Sequence, residues 1–399
     1  MKQLLAYCLS IILCVSFTGC MENYLDLYPE DKITSASFPE NESDIKLLLN
    51  GVYAQLREKE VYNQGLFGFG ITDGATPNAF NWGTDEVFNK LGAGRLSSSD
   101  GGVVTYRWKR CYEIISRANY LLACMDLVDL SEEAKAKYSG ETHFLRGLAY
   151  SVLAETYGGV PIILTNISTE EARSLKRASL EETWQQALDD YEVAITNLGV
   201  DAPEPGRATK GAALGMKMRA YLYQGKYKEV LACVEQIDAL KKYGLFHSYE
   251  GLFDPANENN KEVLFDIQYI EGENSQGSYI DQYCGTGTGS WTRGSRYVPT
   301  DDLVAAYETI DGSPVDPENP YENRDPRLGF TAVLPGSYFL GYRFPNYLYP
   351  GGAFNHAGNR LKHLSTRKYR IQDESKLPPS GQSYINDIIL RYADVLLSK

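Results

Sequence analysis

The segment "ETHFLRGLAYSVLAETYGGVPII", residues 141–163, determines most of what the sequence says about the fold. Its apolar residues recur with the 3.6-residue period of an α-helix, at Phe144, Leu145, Leu148, Val152 and Leu153. Gly158 and Gly159 then allow a left-handed C-cap, and Pro161 prevents the helix from continuing. The segment therefore predicts an amphipathic helix that stops abruptly.

Further segments show the same period and extend the prediction to a helical array. They are residues 42–58, 108–125, 179–199 and 208–237. In the third segment Ser179 and Glu182 have the spacing of a capping box, and the apolar face begins at Leu180. The last segment, divided by Gly225, resembles a tetratricopeptide unit, which buries its apolar face only against stacked neighbours. We therefore predict a mainly α fold of tetratricopeptide-like helix pairs, an α-solenoid scaffold.

Two regions lack any sustained period. Residues 62–105 and 272–360 are rich in Gly, Asn and aromatic residues, and the whole chain contains 30 Tyr. Long irregular segments inside a domain are usually either functional or disordered, and the aromatic content argues against disorder. We interpret both regions as ordered binding loops carried by the helices.

The N-terminus has the pattern of a lipoprotein signal. Lys2 is followed by an uncharged apolar run from Leu4 to Phe17, too short to span a membrane and of the right length for a signal peptide. Thr18-Gly19 precedes Cys20, which predicts removal of residues 1–19 and acylation of Cys20. The alternative is an ordinary signal peptide with an incidental Cys.

Composition and motifs argue for binding without catalysis. The formal net charge of −13 disfavours nucleic acid and anionic lipid as partners. No HExxH or GxSxG motif occurs, and no Cys/His cluster has metal-ligand spacing, so we predict no cofactor and no metal site. "GTGTGS" (285–290) lacks the rest of a phosphate-binding loop. Asp301-Asp302 suits the start of a helix better than a catalytic carboxylate pair.

Four motifs in order resemble the SusD/RagB family of outer-membrane nutrient-binding lipoproteins. They are the N-terminus of the mature chain (from Cys20) with its first helix, the segment 141–163, "RDPRL" (324–328) and "IILRYADVLL" (388–397). The resemblance implies a SusD-like fold with a helical scaffold over 20–270 and a loop-rich region over 271–399. Family members continue past the last motif, so we expect this chain to be a truncated fragment, with a shortened gene product as the alternative.

The resemblance also implies a function. The expected role is glycan capture at the outer face of the outer membrane, without enzymatic activity, and delivery to a SusC-like TonB-dependent transporter. A peptide ligand, as in RagB-like relatives, is the first alternative, and a surface glycoside hydrolase is the second. Sugars stack their flat CH faces on aromatic rings, so the Trp- and Asn-bearing loops favour an oligosaccharide.

The predicted ligand site lies in the irregular regions. Trp82 and Trp291 are flanked by small or polar residues, whereas Trp108 and Trp184 lie in helical stripes where core packing accounts for them. We predict a stacking platform of Trp82, Tyr279, Tyr283 and Trp291, with hydrogen bonds from Asp73, Asn78, Asn81 and Arg293. Each of the two Trp residues can instead pack within its own loop.

Overall fold

The computed structural model describes residues 38–57, 73–81, 90–270, 277–278, 280, 297–344, 364–379 and 382–399. Its α-helices are α1 (Glu42–Arg57), α2 (Val103–Cys124), α3 (Glu132–Tyr157), α4 (Thr169–Ser174), α5 (Leu180–Asn197), α6 (Lys210–Tyr223), α7 (Tyr227–Ala239), α8 (Asp301–Ala306), α9 (Pro326–Thr331) and α10 (Tyr392–Leu397). Its strands are β1 (Ala79–Asn81), β2 (Val263–Ile267), β3 (Tyr297–Pro299), β4 (Ala332–Val333), β5 (Tyr338–Phe339), β6 (Tyr342–Arg343), β7 (Ser365–Thr366) and β8 (Asp387–Arg391).

The long helices stack in chain order. α1 packs on α2, α2 on α3, α3 on α5, α5 on α6 and α6 on α7. Their apolar faces form one hydrophobic core, which the predicted stripe of α3 enters at full burial. Each helix thus buries its face mainly against its neighbours along the chain, as helix-pair repeats do. The structure confirms the predicted mainly helical fold with paired helices.

Local signals place most helix ends where the sequence predicted them. Ser179 and Glu182 form the capping box of α5, and Gly158 caps α3 with a φ of 76°. Gly225, with a φ of 68°, separates α6 from α7.

Two details differ from the prediction. α3 begins at Glu132, well before the quoted segment, because Ser131 accepts a hydrogen bond from the Ala134 amide and caps the helix there. The assignment of Leu180 to the buried face was wrong, since its side chain is 49% exposed. Leu180 is the first residue of α5, and side chains in a helix point toward its N-terminus, so this one extends past the packed face.

A short antiparallel ladder extends the helical core. β2 pairs with β8, and the register is irregular around Phe265. The two strands lie on either side of the predicted domain boundary at 270/271. That boundary stays a prediction. A Cβ on Gly215 of α6 would lie 2.2 Å from Leu390 and 3.1 Å from Leu264, so the ladder lies directly on that helix. β8 is therefore held in fixed position against the scaffold.

Smaller ladders shape the remainder of the C-terminal region. β4 pairs with β7 and β5 with β6, both antiparallel. The free thiols of Cys111, Cys124 and Cys233 are buried. In the part of the chain that the structure describes, every helix is too short or too polar to cross a membrane.

Candidate functional site

The two irregular regions of the sequence meet at a β-ladder. β1 from the first region pairs antiparallel with β3 from the second, with Phe80 opposite Val298 and Asn81 opposite Tyr297. The Thr300 amide adds a hydrogen bond of 3.1 Å to the carbonyl oxygen of Asn78. Segments that are about 220 residues apart in sequence are thus held side by side.

Two predicted site residues come together in the turn before β1. The Asn78 side chain donates a hydrogen bond to the Asp73 carboxylate. Burial nevertheless raises the pKa of Asp73, and the nearby Lys368 ammonium partly opposes that rise. Thr76 fixes the turn, because its amide donates to the Asp73 carbonyl and its hydroxyl accepts from the Asn78 amide. Asp73 is therefore a pre-positioned acceptor.

Asp73 and Lys368 line two adjoining cavities. The smaller, which we call the loop cavity, has a volume of ≈ 170 Å³. Its walls are Asp73, Asn78, Ala79, Tyr249, Pro299, Leu303, Tyr307, Thr331, Thr366 and Lys368. The larger, the helix cavity, has a volume of ≈ 340 Å³. Its walls are Asp73, Arg107, Ser151, Val152, Glu155, Trp184, Met216, Arg219, Ala220, Tyr223, Lys368, Tyr369, Asp387, Ile388 and Ile389.

Lys368 is a functional candidate that the sequence reading missed. Its Nζ atom lies 4.5 Å from the ring centre of Phe253 and 5.4 Å from that of Tyr369. Burial and the Arg391 charge together lower the pKa of Lys368 to about 8, although Asp73 and Asp387 oppose the shift. Nothing in the local pattern marked it, because a Lys in an irregular segment normally points to solvent.

A group of carboxyls with raised pKa values lies behind Lys368. Burial raises the pKa of Asp387 to about 7, and the Asp266 carboxylate adds to the rise. Burial likewise raises the pKa of Asp266 to about 6 and that of Glu258 to about 7. The Asn386 side chain donates a hydrogen bond to the Asp266 carboxyl, and the Asn386 backbone amide donates one to the Glu258 carboxyl. At neutral pH these carboxyls carry only part of their charge.

The remaining predicted ligand residues have different outcomes. Asn81 lies in β1, where its backbone pairs with Tyr297, next to the Asp73–Asn78 turn. Trp82, Tyr279, Tyr283, Trp291 and Arg293 lie outside the described residues, as does Cys20. Their assignments stay predictions. The two Trp residues assigned to packing do pack: Trp184 is buried, and Trp108 contacts the core beside Tyr112 and Tyr157.

The described residues hold no obvious catalytic constellation. Among them, no group of three or more His, Cys, Asp or Glu side chains could hold a metal ion. Asp301 and Asp302 occupy the first turn of α8, whose N-cap is Thr300, so helix capping accounts for them as predicted. The Nδ1 atom of His143 is hydrogen-bonded to the Ser139 carbonyl oxygen, one turn earlier in α3. The geometry described here is suited to holding a polar ligand.

Comparison with known protein families gives two matches along the chain. The family model described as "Starch-binding associating with outer membrane" (SusD-like) matches residues 23–222. The model described as "SusD family" (SusD/RagB) matches residues 261–399. Together they cover the helical scaffold and the loop-rich region.

Individual relatives agree with the family models. The SusD-like protein P25 of Formosa agariphila is 26% identical over 321 residues, 75% of this chain and 58% of the relative. A crystal structure of a SusD-like carbohydrate binding protein from Bacteroides fragilis is 27% identical, with a TM-score of 0.78 over 90% of this chain and 73% of that one. A second B. fragilis SusD-like protein is 25% identical, with a TM-score of 0.77 over 93% of this chain and 77% of that one. The chain spans 48–58% of the length of three curated relatives.

Proposed function

Because the chain belongs to the SusD family, we propose that it is a non-enzymatic surface lipoprotein that binds an oligosaccharide and passes it to a TonB-dependent transporter. The observation that supports this most directly is the meeting of the two irregular regions at the β1–β3 ladder. That meeting puts the Asp73–Asn78 turn beside the loop cavity. A half-buried acceptor, an amide and two Tyr residues around one cavity match the needs of sugar hydroxyls and CH faces.

The proposed site extends from this turn into the adjacent loops. Asp73, Asn78, Asn81 and Arg293 supply hydrogen bonds, and Trp82, Tyr279, Tyr283 and Trp291 supply the stacking platform. Asp73 carries the strongest support, because its carboxylate is already oriented by Asn78 and faces Lys368. A ligand that fills the loop cavity contacts Asp73 and Lys368.

The platform is tested by Trp82→Ala and Trp291→Ala. Aromatic stacking contributes about 0.5–1.5 kcal/mol beyond area burial, so each change should weaken affinity about three- to tenfold. Calorimetry on the detergent-solubilised full chain, with the best ligand from a glycan array, measures the change. Tyr227→Ala is the matched control, since that exposed aromatic side chain lies on α7 and lines neither cavity.

Thermal melts separate binding from folding. An unchanged melt with weakened binding supports the platform. A melting temperature several degrees lower with unchanged affinity assigns both Trp residues to packing within their own loops. Binding of peptides on a parallel array, with no sugar bound, would contradict the oligosaccharide assignment.

The proposed anchor makes a separate prediction. Cys20→Ala should move the protein from the membrane pellet to the soluble fraction, because a protein without an acylated N-terminus loses the hydrophobic contribution of its acyl chains. Fractionation in high salt, followed by a melt of the released protein, measures the effect. A variant that still pellets with membranes would contradict acylation at Cys20.

In the wild type, crosslinking at the cell surface should capture a β-barrel transporter.

A further inference from the structure

We infer that the helix cavity is a second subsite, next to the loop cavity, which binds the negatively charged group of an acidic sugar unit between Arg107 and Lys368. This inference rests on the proposed function and names the ligand class. The charged group is a carboxylate or a sulfate ester, which share the chemistry of an anion with several acceptor oxygens. A ligand reaches the subsite by passing Asp73 and Lys368, which line both cavities.

Two cations in the wall of the helix cavity have unused hydrogen-bonding capacity. The buried Nε atom of Arg107 has no partner within the described ranges. Lys368 Nζ likewise makes no hydrogen bond to any residue that the structure describes, and it rests on the rings of Phe253 and Tyr369. Buried polar groups are normally satisfied, so a bound group with acceptor oxygens is the natural partner for Arg107 Nε, and the Lys368 ammonium in the same cavity wall can pair with that group.

The third cation of the cavity differs from these two. Arg219 donates to the Asp394 carboxylate at 2.5 Å and to the Ile389 carbonyl at 3.1 Å. It adds positive potential to the wall but is already committed to protein partners. The two uncommitted cations therefore define where an anion would lie.

The acidic residues of the cavity only partly offset this charge. Asp73 keeps a negative charge when it accepts from Asn78, whereas the raised pKa of Asp387, about 7, leaves that carboxyl partly protonated at neutral pH. Glu155 is exposed at the rim, where water screens its charge. Arg391 also lies near Lys368, but its guanidinium is paired with the Glu262 carboxylate at 2.7 Å. A protonated Asp387 can also donate a hydrogen bond to an anionic group.

An aromatic wall makes the cavity suitable for a sugar and not just for a small ion. Trp184 forms part of its lining, and Tyr223, which is 53% exposed, lies beside it with ring centres 6.4 Å apart. A sugar ring can pack on the exposed Tyr223 ring, next to the buried Trp184, while its charged substituent reaches Arg107 and Lys368. The volume of ≈ 340 Å³ has room for one or two sugar units.

The test compares charged and neutral forms of the same oligosaccharide on the full chain in detergent. One pair is tetragalacturonate and its methyl ester, and the other is a sulfated galactan tetrasaccharide and its desulfated form. Hydrogen bonds to charged groups contribute about 1.5–3 kcal/mol, so the charged member of one pair should bind at least about tenfold more tightly. Which pair shows the preference distinguishes carboxylate from sulfate.

Variants then locate the preference. Lys368→Met and, independently, Arg107→Met should reduce the charged-over-neutral ratio to less than about threefold, with melts to verify folding. Lys376→Met is the control, since this exposed Lys lies in the same described segment and lines neither cavity. It should leave the ratio unchanged.

Each outcome decides the inference. Equal affinity for the charged and neutral members of both pairs overturns the inference, while oligosaccharide binding stands. A charged-over-neutral affinity ratio that neither Arg107→Met nor Lys368→Met reduces also overturns it. It is also overturned if all four probes fail and a neutral glycan array gives ligands. Failure of every probe and of the whole array overturns both the inference and the proposed function.

Discussion

Replacing Asp190 by Ala should lower the free energy of unfolding by about 3–5 kcal/mol, the cost of leaving a buried charge without its partner. Arg146 of α3 donates to Asp190 of α5 through Nε at 3.0 Å and Nη2 at 2.7 Å, and both side chains are almost fully buried. The remaining nitrogen of Arg146, Nη1, donates to Asn119 of α2 at 2.8 Å. Without Asp190 the guanidinium stays in the core with one neutral acceptor. Urea denaturation of wild type and variant measures the difference.

The control is an ion pair of the same chemistry at the surface. Arg173 and Glu170 lie 3.4 Å apart, with side chains 74% and 85% exposed. Glu170→Ala should change stability by less than about 0.5 kcal/mol, because water screens the pair. A loss below about 1 kcal/mol in Asp190→Ala would mean that the core relaxes and admits water to Arg146. Partial recovery in the double variant Arg146→Met/Asp190→Leu would confirm that the cost comes from the unpaired charge.

The Arg146 network explains why segment 141–163 determines the fold. Asn119, which accepts from Arg146, donates through Nδ2 to the carbonyl oxygen of Ile163 at 2.9 Å. Tyr150 exchanges hydrogen bonds with the same residue, donating to its carbonyl at 2.9 Å and accepting from its amide at 2.7 Å. The helix and the segment after its glycines are therefore tied to α2 and α5 by one set of buried polar contacts.

The sequence predicted the helices well because their signals are local. The apolar stripe of α3 and the capping box of α5 depend on residues a few positions apart. The inward-facing Arg146 was not predicted, since its position within the period says only that it lies near the core. Its partner Asp190 is on another helix, 44 residues away in sequence. Periodicity specifies a face, but not which residue that face meets.

The site was only partly predictable for the same reason. Asp73 and Asn78 could be proposed from composition, because a Gly- and Asn-rich loop is where ligand-binding residues concentrate. Lys368 could not, because its role depends on Asp73 and Asp387, which reach it from distant parts of the chain. The same holds for Asp387, since the alternation of β8 gives no sign that the carboxyl faces a cavity.

Gly159→Ala should be the most destabilising of the conservative changes in the turn after α3, at about 3–5 kcal/mol, from overpacking together with loss of a helix cap. A Cβ at this position would lie 2.0 Å from the Ala178 carbonyl oxygen, 2.7 Å from the Ser179 carbonyl carbon and 2.9 Å from the Leu180 amide nitrogen. All three are backbone atoms, so no side-chain rotation relieves the contact. The backbone of 178–180 must move.

That movement would disrupt the start of α5. Ser179 is the N-cap of α5, and the Ala178 amide donates to the Val160 carbonyl at 3.1 Å. The Val160 amide in turn donates to the Thr183 hydroxyl, so the displaced segment loses contacts on both sides.

Neighbouring glycines supply graded controls for the denaturation experiment. Gly158→Ala meets no atom within 4 Å but must keep φ 76° and ψ −138°, a conformation outside the left-handed helical region that costs about 1–3 kcal/mol for a residue with a Cβ.

Gly199→Ala completes the series, because its nearest neighbour would be 3.5 Å away, an ordinary van der Waals contact. It should change stability by less than about 1 kcal/mol, as expected for a loop substitution without strain or overlap. The order Gly159, Gly158, Gly199 therefore separates steric overlap from backbone conformation within one experiment. If Gly159→Ala lowered the free energy of unfolding no more than Gly158→Ala, the close approach of residues 159 and 178–180 would not be important for stability. The double glycine would then serve only the C-cap of α3.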